Sequence, residues 1–430
     1  MKKELTLGEK IRQVRKEKGF SQENMAYAIK TSDAFVGRIE RGEAECSEEM
    51  LEAIKEFLGI VGAPLLEPEI KVYKSRLWAA NEMINASRLS DARVALNDLS
   101  AIKHLPFEQD LSIIYSMIEA RILFREGNAA AAEELINAAE ATIDEAGVSA
   151  LHMYHRNKGY LYYAQKNDYK KALNHYFLVL ELESDEVKYD ANVLFTIGSC
   201  YNSLFQPFKA ISYYEQARRE FSGDSVHKLA SQIDIELATS YANTGDLKRA
   251  EKLFEASLAH AKSINNENSI GIALMNLAFV KGPKGEYHEV IKYTDQALVY
   301  LKNDKYTCAM LLYNKALILI NLKEFEQCKK VIEQGKALAQ GNETCMILLE
   351  SANHLITLND SASANYIETV TIPHLISCGN SGKYAVQHYC NVLEAHYKKK
   401  RATKKAMAIA VISRDIYREM IFGTEYFLVI

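Results

Sequence analysis

Ala238-Thr239-Ser240-Tyr241-Ala242-Asn243-Thr244-Gly245-Asp246-Leu247-Lys248-Arg249-Ala250-Glu251-Lys252-Leu253-Phe254-Glu255-Ala256-Ser257 is the stretch that decides the fold. Gly245-Asp246 stops one helix and caps the next. Small residues, Ala238 and Ala250, stand where two helices would cross closely, and Tyr241 and Phe254 fill the space beside the crossing. The same grammar returns at Gly198, Tyr201, Ala210, Tyr214 and Ala217, and again at Ala316, Leu319, Cys328, Ile332 and Gly335. Its anchor recurs at Ala92, Ala132, Ala172, Ala210, Ala250, Val290, Cys328, Ala364 and Ala406, a step of about 40 residues that belongs to two-helix solenoid units. No single-copy globular fold produces that recurrence. The expected class is all-α: a small N-terminal domain followed by about nine helical hairpins that fill residues 71–430.

Composition agrees with that class. The chain is 48% hydrophobic and 25% charged with only 6 Pro, which excludes disordered and collagen-like chains. Its 430 residues exceed one ordinary core, but stacked hairpins bury a continuous core and escape that limit. After Met1-Lys2-Lys3-Glu4 no apolar stretch follows, and none elsewhere reaches the roughly 18 uncharged residues of a membrane span. The expected location is the cytoplasm, with no membrane partner. The 7 Cys are scattered without a C-x-x-C pair, so reduced thiols are expected rather than disulfides or a zinc cage. No cofactor is expected.

Residues 1–60 read as four short helices. Leu7, Ile11 and Val14 line one face of the first, which ends near Gly19. Ser21 caps the second, with Asn24 where a capping box would want Glu or Gln. Lys30-Thr31-Ser32 turns into a third helix carrying Val36 and Ile39, and Ser47 opens a fourth with Leu51, Ile54 and Leu58.

Gly19-Phe20-Ser21-Gln22-Glu23 followed by Gly37-Arg38-Ile39-Glu40-Arg41-Gly42 resembles the bacterial and phage repressor class of helix-turn-helix domains. The resemblance implies a third helix in the major groove of an operator duplex. Carried onto this chain, Ser32, Asp33, Ala34, Gly37 and Arg38 would face the groove, and Gln22 would clamp phosphate or support a base contact. Up to Arg41 ten Lys or Arg stand against six acids, but the stretch from Glu43 to Glu56 cancels that excess. The basic side must therefore be local, built from Lys10, Arg12, Arg15, Lys16, Lys30 and Arg38. Asp33 could accept only from a base amino group. A protein-contact or dimerisation module is the alternative reading of these helices.

Gly59, Gly62, Pro64 and Pro68 mark residues 61–70 as a linker, either a joint that lets the reader move or a plain interdomain turn. Beyond it, Asn157, Asn276 and Asn314 all fall two residues before the small residue of a first helix, Gly159, Ala278 and Ala316. An amide donates and accepts together, so a row of them can hold an extended peptide backbone whatever its side chains. Asn202, Arg156, Tyr160, Gln232, Met275, Phe279, Met310 and Tyr313 lie at neighbouring wall positions.

A repressor-type reader joined to such repeats resembles the Gram-positive peptide-sensing regulators of the Rap, Rgg, neutral-protease-regulator, PlcR and PrgX group, by length the long neutral-protease-regulator type. The resemblance implies a right-handed tetratricopeptide-like superhelix that binds a short signalling peptide on its concave face. It assigns peptide backbone contacts to Asn157, Asn276, Asn314 and Asn202, and a homodimer or tetramer to the assembled protein. The expected function is a cytoplasmic quorum-sensing transcription regulator and not an enzyme. The alternatives are a scaffold for a partner protein such as a sporulation phosphorelay component, and a phosphatase of the Rap type.

Three signals carry less. Glu368 and Thr371 depart from the repeat pattern, which points to a cap or dimer surface in the last units. Lys398-Lys399-Lys400-Arg401 with Lys404-Lys405 reads as a solvated basic loop, the alternative being a contact to DNA or a partner. Gly379-Asn380-Ser381-Gly382-Lys383 lacks the spacing of a phosphate loop, and His152 and His155 lack a third metal ligand.

Overall fold

The computed structural model describes residues 5–103, 105, 107–182, 191–220 and 227–422, and among these every regular element is helical. The chain divides into two compact units, Met1–Val193 and Leu194–Ile430. The first unit holds α1 (Leu7–Glu17), α2 (Gln22–Ala28), α3 (Asp33–Glu40), α4 (Glu48–Phe57), α5 (Glu67–Asn85), α6 (Leu89–Asn97), α7 (Gln109–Arg125), α8 (Ala129–Glu140), α9 (Val148–Ala164) and α10 (Tyr169–Glu181). The second runs through α11 (Ala191–Ser203), which starts just before the boundary, then α12 (Pro207–Glu220), α13 (His227–Asn243), α14 (Leu247–Ser263), α15 (Glu267–Lys281) and α16 (Tyr287–Tyr300). It continues with α17 (Lys305–Asn321), α18 (Phe325–Leu338), α19 (Glu343–Ile356), α20 (Ser361–Tyr366), α21 (Ile372–Ser377), α22 (Lys383–Lys399) and α23 (Thr403–Phe422).

From α5 onward the described helices other than α21 pair into nine hairpins, and each of the nine anchor residues is the fourth residue of the second helix of its pair. All nine are buried. Five residues before eight of those anchors the backbone turns left-handed, at Ser87, Gly127, Asn167, Phe205, Gly245, Gly285, Lys323 and Arg401. That residue ends the first helix, and its tight turn delivers the anchor to the crossing. Where the first helix carries Gly, the fit is closest. A Cβ at Gly198 would fall 2.6 Å from the Tyr214 ring, and one at Gly159 would fall 3.1 Å from the Tyr176 ring. Asn128, Asp168 and Asp246 cap second helices, and Asn266, Asp304 and Asn342 cap first helices, each taking a backbone N–H with its side-chain oxygen.

The eighth hairpin, α19 with α20, breaks the rule. Between α20 and α21 the chain takes a π-helical turn over Ile367–Thr371, and Pro373, which has no N–H to give, follows at once. Thr371, out of pattern in sequence, is fully buried, with its hydroxyl 2.7 Å from that of Ser351.

The reader folds around Ile11, Met25, Val36, Ile39 and Ile54. Ser21 and Asn24 close a complete capping box, each side chain bonding the other's backbone N–H at 2.9 Å; the shorter amide serves where Glu or Gln was expected. The reader shares the first unit with the repeats of α5 to α10. Residues 61–70 form a folded turn rather than a slack joint. Ala63 and Leu65 are buried, Tyr73 donates to the Gly62 carbonyl, and the Glu69 carboxylate takes the N–H groups of Leu65 and Leu66 at 2.8 and 3.0 Å. The glycines serve the turn itself, Gly59 and Gly62 having φ of 60° and 77°.

Candidate DNA reader and ligand wall

Helices α2 and α3 pack together across a turn in which Lys30 is left-handed. The Ser32 hydroxyl accepts the Phe35 N–H at 3.2 Å and so starts α3. Val36 and Ile39 face the core, while Ser32, Asp33, Ala34 and Arg38 are exposed. Arg12, Lys16 and Lys30 are exposed as well, and Tyr27 next to the turn is the most open of the domain's described large hydrophobic side chains, 89% exposed. The guanidinium of Arg38 lies over the Phe35 ring.

Four residues expected at the DNA face are committed elsewhere. Arg15 is buried and grips the buried Glu40 carboxylate with Nε at 2.5 Å and Nη2 at 3.0 Å, and gives its Nη1 to the Phe20 carbonyl at 2.6 Å. Gln22 donates its amide to the same carboxylate at 2.8 Å. Gly37 lies buried beneath Gln22 and Arg41, whose side-chain nitrogens stand 3.6 and 3.2 Å from where its Cβ would be. Lys10 is buried too, held by Glu108 at 2.8 Å and the Leu65 carbonyl at 3.2 Å, so it ties α1 to the loop ahead of α7. The apolar period puts these side chains on the inner flank, where a charge must find a partner. Burial alone would push the Glu40 carboxyl up, but Arg15 and Gln22 outweigh it and hold it below the ordinary carboxylate value. Past α3 the surface turns acidic, with Glu43, Glu45, Glu48 and Glu49 exposed. Among the described residues of the reader the exposed cations are Arg12, Lys16, Lys18, Lys30 and Arg38, with Arg41 exposed but paired to Glu43 at 2.8 Å.

The phased asparagines part company. Asn157 on α9 is buried and donates to the Met117 carbonyl of α7 at 2.6 Å; it is a brace between two first helices, and Arg156 beside it is buried as well. Tyr160 is partly exposed and packs edge-on against Phe124, with ring centroids 5.0 Å apart. Tyr313 on α17 is core, its hydroxyl 3.0 Å from that of Tyr389 on α22.

In the second unit the same phase stays open. Asn276 on α15 is half-buried, Asn314 on α17 is exposed, and among the described residues neither amide has an internal hydrogen bond. Asn202 on α11 is half-buried and Gln232 on α13 is exposed.

One residue at this phase escaped the sequence reading. Glu236 on α13 stands two residues before Ala238, the register of Asn276 and Asn314. Burial pushes its carboxyl up from the ordinary value, and a hydrogen bond with Tyr214 offsets part of that. The register alone would have found it had carboxylates been sought with amides.

His155 meets His175 rather than a metal set, Nδ1 to Nδ1 at 3.0 Å, and no described group of three or more ligating side chains could hold an ion. Gly379–Gly382 is a short 3-10 turn leading into α22, not a phosphate loop. Among the described residues no helix is long and apolar enough to cross a membrane.

Residues 6–67 match the helix-turn-helix domain model, and residues 309–342 match a tetratricopeptide repeat model. The chain is 22% identical over 417 residues to the transcriptional activator NprA of Geobacillus stearothermophilus, covering 91% of this chain and 98% of that protein. Its fold is that of the apo quorum sensor NprR from B. thuringiensis, with a TM-score of 0.70 at 20% identity over 82% of this chain and all of that one. NprR in complex with its cognate peptide NprX aligns with a TM-score of 0.59 at 18% identity, covering 80% of this chain and 99% of that one. The chain thus carries a helix-turn-helix domain and a tetratricopeptide repeat behind it, has the fold of the NprR quorum sensor, and is similar almost end to end to a transcriptional activator.

Proposed function

We propose that this chain is a transcription regulator that grips operator DNA as a homodimer and answers to a short peptide held on the first helices of the second unit. The observation that carries the peptide half is the pair of uncommitted amides at Asn276 and Asn314. They stand at one register in successive hairpins, where Asn157 at the same register is spent on a neighbouring helix. Two such amides each offer a donor and an acceptor to an extended backbone. Glu236, one hairpin earlier, adds a carboxylate that favours a cationic group on the peptide. On the DNA half, Ser32, Asp33, Ala34 and Arg38 are the exposed side chains of the recognition helix, and Arg12, Lys16 and Lys30 supply phosphate contacts. A second copy supplies the second half-site, because one small reader covers only one.

The peptide acts to the extent that it binds two arrangements of the array unequally. The test starts from peptides that copurify with the full chain, sequenced by mass spectrometry and resynthesised. Asn276→Ala with Asn314→Ala should weaken their binding at least roughly tenfold while leaving retardation of the chain's own upstream duplex intact. Arg38→Ala should do the reverse. Unchanged peptide affinity in the double variant would remove the wall from the mechanism.

A further inference from the structure

The tip between α22 and α23 reads Lys398-Lys399-Lys400-Arg401-Ala402-Thr403-Lys404-Lys405, six cations in eight residues and no acid, in a chain whose net charge is −4. All six cations are exposed. Three have partners: Lys398 pairs with Glu394 at 2.5 Å, Lys400 donates to the Asn359 carbonyl at 2.7 Å, and Lys405 lies 3.8 Å from Glu368. Among the described residues no carboxylate stands within ion-pair distance of Lys399, Arg401 or Lys404. Arg401 holds the left-handed backbone, φ 56°, of the turn position that Gly fills in three other hairpins and Ser87, Asn167, Phe205 and Lys323 fill in four.

We propose that this tip is a sequence-blind contact for the phosphates of duplex DNA, separate from the helix-turn-helix reader. The proposal rests on the chain being a DNA-binding protein and adds a second basic surface to it. The reader keeps exposed cations at Arg12, Lys16, Lys18, Lys30 and Arg38, but Lys10 and Arg15 are spent internally and the surface past α3 is acidic, so the tip would extend a local basic footprint. A phosphate backbone asks only for positive charge on long, mobile stems, and this tip supplies it. A single strand would also need an exposed ring on which to stack its bases. Tyr397, the ring nearest the tip, is buried with its hydroxyl on Glu368.

The experiment uses the full chain carrying Arg38→Ala, which disables base reading, and a non-operator duplex of about 30 base pairs, with binding followed across a salt series. Adding Lys399→Gln, Arg401→Gln and Lys404→Gln should weaken the residual binding and make the slope of log K against log salt shallower by about 0.9 to 2.7, one to three released phosphate contacts. An unchanged thermal midpoint shows that the variant is folded. An unchanged slope and affinity would overturn the proposal. So would loss of binding to phosphatidylglycerol vesicles with duplex binding intact, since Met407 and Val411 on α23 are exposed apolar neighbours and the tip would then be a membrane contact. If the parent chain shows no preference for its upstream duplex but its duplex binding still needs the three cations, the reader assignment falls and this one stands.

Discussion

Arg15→Ala should release the recognition helix from within. Glu40, 2% exposed, accepts three N–H groups, two from Arg15 and one from Gln22. Removing the guanidinium strands an ionised carboxylate on one amide, and breaking a buried pair in this way costs about 3–5 kcal/mol. Hydrogen exchange of the α2 and α3 amides in the intact chain reads that cost as a lowered opening free energy, and operator affinity should fall with it. Replacing both partners, Arg15→Met with Glu40→Leu, should restore most of the protection, because no charge is then left unpaired.

The pH dependence should reverse as well. The folded Glu40 carboxyl titrates below its unfolded value of about 4.3. Its stabilising effect is therefore complete above that pH and lost as pH falls through the folded value. Without Arg15, burial raises the folded carboxyl above the unfolded one, so protection of α3 should decline as pH rises from about 4 to 7. A loss under about 1 kcal/mol with no change of pH trend would refute the assignment of Arg15 and Glu40 as the internal lock of the reader.

Gly198→Ala would push a methyl to 2.6 Å from the Tyr214 ring, and the overpacking should cost about 1–3 kcal/mol in a denaturant titration, relieved by Tyr214→Leu in the same chain. Asn157→Ala should lower stability by about 1–2 kcal/mol through its lost bond to Met117 and leave peptide affinity alone; calorimetry that finds peptide affinity lost would return Asn157 to the wall. Glu236→Gln should weaken peptides with a cationic group about tenfold and spare neutral ones. In the parent chain the affinity for the cationic peptides should drop as pH falls toward the raised value of Glu236, and equal loss for both peptide classes would remove its charge from recognition.

The anchors from Ala92 to Ala406, the caps at Asp168 and Asp246, and the helix pair from Gln22 to Glu40 were legible in the residues, because helix crossings, caps and turns are set by side chains a few positions apart. Residues 1–60 were likewise readable as helices from Leu7, Ile11 and Val14 onward. What any one polar side chain does was not legible. Asn157, Asn276 and Asn314 share a register, yet one meets a carbonyl of a neighbouring helix and two meet none among the described residues. Arg15 and Lys10 look like DNA-facing cations until Glu40 and Glu108, brought beside them from 25 and 98 residues away, claim them. Tyr313 looks like wall until Tyr389 closes over it. Periodicity fixes which way a side chain points along its own helix; whether it is already spent depends on what distant segments present to it, and only the packed chain determines that.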